Sequence, residues 1–229
     1  MKDIPFFTCE AGVATLILRE IPRKGWAYVL PRSWQAGQFP ALLEKSRRFC
    51  VMAGAARVSA GTDEPMEDFA HLHDLVEMRV RRADLPAPNQ AVRLVSVGPE
   101  NEDEFLRIYN ELFMPVPNAA TYMPDDLERI LREEQAVLAE VGGRWAGIGE
   151  WRGSELRAVG VLPEFRGLGA PLTLALLGRM EGGELTLRVS TANPRAVRLY
   201  ERLGFRQTAI LSRWYELTPG SWAGVDIPH

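Results

Sequence analysis

With 229 residues the chain is long enough to bury a substantial core, as one large domain or two modest ones. Its 27 basic and 30 acidic residues are interspersed and nearly cancel to a net charge of −3, which leaves no broad basic face for nucleic acid. Cys9 and Cys50 lack metal-ligand or disulfide-framework spacing and read as buried thiols, no stretch reaches membrane-spanning length, and Asp3 and Pro5 interrupt the apolar run a signal peptide needs, so a soluble, cytoplasmic protein with no metal is expected.

In chain order, V29-L-P-R-S-W-Q-A-G37 followed by Ala41, Leu42 and Leu43 reads as a strand, a turn and a helix, and R57-V-S59 opens another strand. The same succession returns far downstream as V161-L-P-E-F-R-G-L-G169, Leu172 and R188-V-S190, and the two separations differ by one residue. The first half is therefore expected to be a worn copy of the second. Trp34 stands where the second copy has Arg166, so the first is expected to have lost its chemistry. L72-H-D-L-V-E-M-R-V80 alternates as a strand, while R47-R48 and R79-V-R-R82 read as the solvated ends of a helix and a strand. The proline-rich L85-P-A-P-N-Q90 marks the boundary between an expected N-terminal half domain, 1–88, and a working domain, 89–229.

The working domain opens with a helix over Glu102–Phe113, whose Phe105, Ile108, Tyr109 and Leu112 share one face, and a second helix begins at Pro124 with acids in its first turn. A loop with Pro115, Pro117, Asn118, Thr121 and Tyr122 joins them, either a rigid proline turn with an aromatic anchor or part of a pocket. Strands over 136–141, 144–151 and 156–162 follow, the first two joined at Gly142-Gly143. At Arg166-Gly167-Leu168-Gly169-Ala170 the chain turns into an apolar helix. A glycine turn, a helix N-terminus and a guanidinium together make a cradle for a diphosphate. A strand over 185–189 then leads to Asn193-Pro194, a helix start, and to a stripe of Ala196, Val197, Leu199, Tyr200 and Leu203 ended by Gly204. A final strand covers 209–217.

In these two motifs the chain resembles the GNAT superfamily of N-acetyltransferases. Arg166 to Ala170 is similar to the family's acetyl-CoA signature, and Asn193, Ala196, Leu199, Tyr200, Gly204 and Phe205 to its second one. The resemblance covers about Ala91 to Leu217 and departs at Pro171, which has no N–H to offer a diphosphate. It implies an α/β fold, a GNAT-like mixed central sheet flanked by helices, preceded by a smaller pseudo-GNAT half domain. It also implies acetyl-CoA as cosubstrate, with the backbone of Val159, Val161 and Leu162 along the thioester arm, Arg166, Gly167, Leu168, Gly169 and Ala170 around the diphosphate, and Asn193 among the cofactor-binding residues.

By the same resemblance Tyr200 aligns with a proton donor to the CoA sulfur, and Asn118, Thr121 and Tyr122 border the acceptor. Tyr200 could equally fill the apolar stripe, and Arg195 either reaches the 3′-phosphate or is exposed. Glu150, expected at a strand end beside the cleft, is the candidate base, although a carboxylate there is commonly just solvated. The expected activity is acetyl transfer to the primary amine of a small molecule, without nucleic acid, membrane or metal, and a homodimer is among the assemblies this reading allows. The rival reading is a catalytically silent CoA-binding regulatory or scaffold protein, motivated by Pro171 and the worn half.

Overall fold

The computed structural model describes residues 6–87, 92–133 and 135–219; the start of the N-terminal segment, the end of the proline-rich boundary and His229 lie outside the described residues. In chain order the elements are β1 (Phe6–Cys9), β2 (Gly12–Ile17), one helical turn α1 (Ile21–Lys24), β3 (Trp26–Trp34), α2 (Phe39–Met52), β4 (Arg57–Thr62) and β5 (His71–Arg81). They continue with β6 (Arg93–Ser96), α3 (Glu102–Phe113), α4 (Pro124–Glu133), β7 (Gln135–Val141), β8 (Arg144–Arg152), β9 (Glu155–Val161), α5 (Gly169–Arg179), β10 (Glu184–Ser190), α6 (Pro194–Arg202) and β11 (Arg206–Glu216). Packing divides the chain into two units, Met1–Leu75 with Ile210–His229, and Val76–Ala209.

In the larger unit, β6, β7, β8 and β9 form an antiparallel meander, and β10 lies parallel to β9, as a strand–helix–strand crossover through α5 requires. The last strand of this sheet is the Val76–Arg81 part of β5, beside β10. Alternation puts Val76, Met78, Leu185, Leu187 and Val189 on the face that meets the leucines of α5 and Tyr200, Leu203 and Phe205. Leu138, Ile148 and Ala158 meet Phe105, Ile108, Leu127 and Ile130 on the other face. Helices α5 and α6 thus cover one side, α3 and α4 the other. Close seating of α5 depends on Gly149, because a Cβ there would lie 2.3 Å from Leu176.

The smaller unit repeats part of this plan. Strands β1, β2 and β3 run antiparallel, and β3–α2–β4 is again a parallel crossover. Its closing strand is the end of β11, antiparallel to β4. Each unit is thus completed by a strand from a distant part of the sequence.

Three local expectations change. Arg47 and Arg48 are not simply solvated: both donate to the buried carboxylate of Glu44, at 2.8 Å and 2.6 Å from their Nε atoms. Arg82 closes the C-terminus of α5, its guanidinium donating to the carbonyls of Leu177, Met180 and Gly182 at 2.7–3.0 Å. Cys50 is buried and its thiol is pushed up to about 12 by desolvation, but Cys9, at the end of a four-residue strand, is only half-buried.

Candidate active site

The site begins with a register error in the sheet. Glu150 faces Ala158 across β8 and β9, but Trp151 faces Leu156, so Arg157 is an extra residue on β9, a β-bulge. The bulge turns β9 away from its parallel neighbour. Pairing with β10 stops after Thr186–Glu155 and Leu187–Leu156, and beyond it the two strands part. The gap is a cleft lined by Val159 of β9, by Val189 and Ser190 of β10, and by Asn193 and Tyr200 of α6. Phe113 and Val116 line it from the opposite helical layer, so the cleft opens toward both faces of the sheet.

Below the cleft, β9 ends at Val161, Leu162 follows it, and Arg166 stands exposed just before Gly167, whose φ of 101° only glycine adopts readily. Leu168 precedes the first turn of α5, which starts at Gly169 and Ala170 and has Pro171 in third place. The first N–H groups of a helix lack intrahelical partners, so this turn presents donors and partial positive charge to solvent beside a guanidinium. Only Pro171 withholds one. This arrangement fits a diphosphate.

Asn193 serves as the N-cap of α6: its Oδ1 accepts from the N–H of Ala196 at 3.1 Å, while its own N–H donates to the Ser190 carbonyl at 2.9 Å. The cap fixes where α6 starts, and hence where Tyr200 falls. Tyr200 is 8% exposed, edge-on to Phe205 at 5.9 Å, and desolvation raises its hydroxyl to about 12. It therefore remains a proton donor throughout the neutral range. Arg195 lies exposed on the first turn of α6.

Glu150 does not end its strand, since β8 continues to Arg152, and at 1% exposure it is far from solvated. Its carboxylate accepts from the Tyr122 hydroxyl, with the two oxygens at 3.1 Å and 3.3 Å. Desolvation first, then the neighbouring Tyr109 and Glu150, hold the Tyr122 phenol well above its ordinary range, so it stays a donor. The ring of Tyr122 stacks on Tyr109 at 3.8 Å, and Tyr109 stacks in turn on Phe113 of the cleft wall at 4.5 Å. Thr121 is buried beside it, and Asn118 turns the loop with a φ of 63°.

Sequence reasoning missed Arg157, Phe113 and Asn110. The bulge has no signature in composition or period. Asn110 looks like an ordinary polar residue of α3, yet its side chain holds both backbone polar groups of Tyr122.

Residues 137–215 match the family model described as FR47-like protein. The chain is 32% identical over 206 residues to the mycothiol acetyltransferase of Thermobispora bispora, covering 78% of this chain and 63% of that protein. It is 28% identical over 221 residues to the protein of the same name from Mycobacteroides abscessus, covering 85% and 66%. The chain thus spans less than two thirds of the length of these relatives. Among solved structures, the GCN5-related N-acetyltransferase from Kribbella flavida shares its fold with a TM-score of 0.63 at 20% identity, covering 96% of this chain and 91% of that one. A tandem GNAT protein from the clavulanic acid biosynthesis pathway does so with a TM-score of 0.52 at 18% identity, covering 91% and 80%. Residues 137–215 are thus similar to the FR47-like family, and the chain shares the fold of GCN5-related N-acetyltransferases, with a parted parallel strand pair, a glycine-turned helix N-terminus and an asparagine-capped helix at its site.

Proposed function

We propose that the protein transfers an acetyl group from acetyl-CoA to a primary amine of a small molecule by direct attack on the thioester. The observation that carries this reading is the cleft between β9 and β10 with Tyr200 and Asn193 in its wall. In this reading the pantetheine arm lies along the freed edge of β9, at Val159, Val161 and Leu162, where backbone groups released from β10 can hydrogen-bond to it. Arg166, Gly167, Leu168, Gly169 and Ala170 receive the diphosphate, Asn193 shapes the floor, and Arg195 reaches the 3′-phosphate.

The acceptor enters from the α3–α4 side, bordered by Asn118, Thr121 and Tyr122. Glu150 takes a proton from the acceptor's ammonium, and the freed amine attacks the carbonyl carbon. As the carbon–sulfur bond breaks, Tyr200 protonates the thiolate and is reprotonated from solvent, while the new amide sheds its second proton. Most of the acceleration in such a step comes from holding the amine and thioester in line. The relatives are named mycothiol acetyltransferases, which supports a mycothiol-related amine as the first acceptor to try.

The test is a transfer assay that follows free CoA with acetyl-CoA and a panel of small primary amines. Turnover with one of them, lost in Glu150→Gln, supports the reading. Tight CoA binding without turnover on any amine overturns it in favour of a silent CoA-binding protein.

A further inference from the structure

We propose that Asn110 is a positioning residue: by clamping both backbone polar groups of Tyr122 it keeps the Tyr122 hydroxyl on the Glu150 carboxylate and the carboxylate ionised and aimed at the acceptor. The inference rests on the reading of Glu150 as the base. The geometry is closed on every side. The Asn110 Nδ2 donates to the Tyr122 carbonyl at 2.9 Å, and its Oδ1 accepts the Tyr122 N–H at 2.8 Å. One side chain on α3 thus acts toward Tyr122 as a neighbouring strand would, although Tyr122 lies in a loop twelve residues further on. Stacking on Tyr109, with the rings 5° from parallel, restrains the side-chain rotations that the clamp leaves free.

Glu150 needs such help. Its neighbours across the sheet are Ala136 on β7 and Ala158 on β9, which offer only methyl groups. From the helical layer the Tyr122 hydroxyl reaches it, with Tyr109 beside Tyr122, and Arg157 is the cation at the adjoining bulge of β9. A buried carboxylate is unfavourable unless hydrogen bonds stabilise the charged form, and a phenol held as a donor does so. Since the tyrosine hydroxyl sits at the end of a rotatable side chain on a loop, the strength of that bond depends on what anchors the loop. Asn110 is that anchor. The wall residues Phe113 and Val116 lie on the same stretch, so acceptor side and base are held by one clamp.

The experiment is a carbon-13 NMR titration of the full chain labelled at glutamate side-chain carboxyls, with Glu150→Gln used to assign the Glu150 resonance. In Tyr122→Phe the midpoint should rise by about one to two pH units, the worth of a charge-assisted hydrogen bond. Asn110→Ala should raise it in the same direction, and the double variant should match Tyr122→Phe, because both act through one hydroxyl. An unchanged midpoint in folded Asn110→Ala, or additive effects in the double variant, would overturn the assignment. If Asn110→Ala does not fold, an unchanged midpoint in Tyr122→Phe overturns it instead. The titration needs no acceptor, whereas the base reading stands or falls on the turnover of Glu150→Gln, so either can fail alone.

Discussion

At the scale of single residues, the proposed division of labour rests on two hydroxyls that desolvation keeps as donors and on one buried carboxylate. Desolvation alone pushes Tyr200 up to about 12, with no hydrogen-bond partner among the described residues. Because that value lies above the ordinary tyrosine value, the proton is retained as pH rises, and Tyr200 contributes no basic limb to a rate profile below about pH 12. Tyr200→Phe keeps the ring against Phe205 but removes the proton, so kcat should fall by about 10²–10⁴-fold while the melting temperature and CoA affinity stay nearly constant. Unfolding of that variant would instead mark the ring as core filler. Pro171→Ala restores one N–H to the first turn of α5, and calorimetry should show CoA binding up to about tenfold tighter, the worth of one good hydrogen bond. Unchanged or weaker binding would mean that proline's fixed φ matters more.

At the scale of elements, the bulge and the helix termini do the positioning. Arg157 parts β9 from β10, Asn193 sets the start of α6, and Arg82 holds the far end of α5 through three carbonyls. Removing that last group leaves helix-end acceptors without a charged donor. Arg82→Ala should therefore lower stability by about 1–3 kcal/mol, read as a lower urea midpoint. A loss confined to the smaller unit would count against this assignment.

At the scale of the whole molecule, the two units differ in how they treat the same crossover. In the smaller unit β3 and β4 stay in register over four pairs, from Trp26–Arg57 to Val29–Ala60. The Trp214 ring lies on Gly61 and edge-on to Tyr28 at 5.5 Å, filling the surface next to that pairing. Trp34 extends β3 where the other unit has its arginine turn, and packs on Phe39. Calorimetry should accordingly find one CoA per chain; two sites would contradict this picture. The exchanged strands carry a second expectation. Residues 89–229 expressed alone lack Val76, Met78 and Val80, which are buried against Leu185 and Leu187, and should not unfold cooperatively, whereas co-expression with 1–88 should restore a single soluble complex. Cooperative unfolding of the isolated fragment would show that β5 is dispensable.

What the sequence by itself determined is whatever depends on neighbours along the chain. The helical stripes of α3 and α6, the Gly142-Gly143 turn between β7 and β8, the arginine–glycine turn into α5, the Asn193 cap and the repeated crossover all rest on local periodicity or on residues with special backbone or capping chemistry. Tertiary structure alone decided the rest. A period of two says which side chains share a face of β5 or β11 but not which strand lies alongside, so the completion of each unit by a distant strand could not be read. The bulge at Arg157 appears only when β8 and β9 are set in register. Glu150 was legible as a candidate base at a strand end but not as a buried carboxylate, because nothing nearby in sequence covers it; its cover, Tyr122, comes from a loop that Asn110 fixes in place. Hydrogen bonds between residues far apart in the chain leave no pattern along it, and the geometry around Glu150 depends on such bonds.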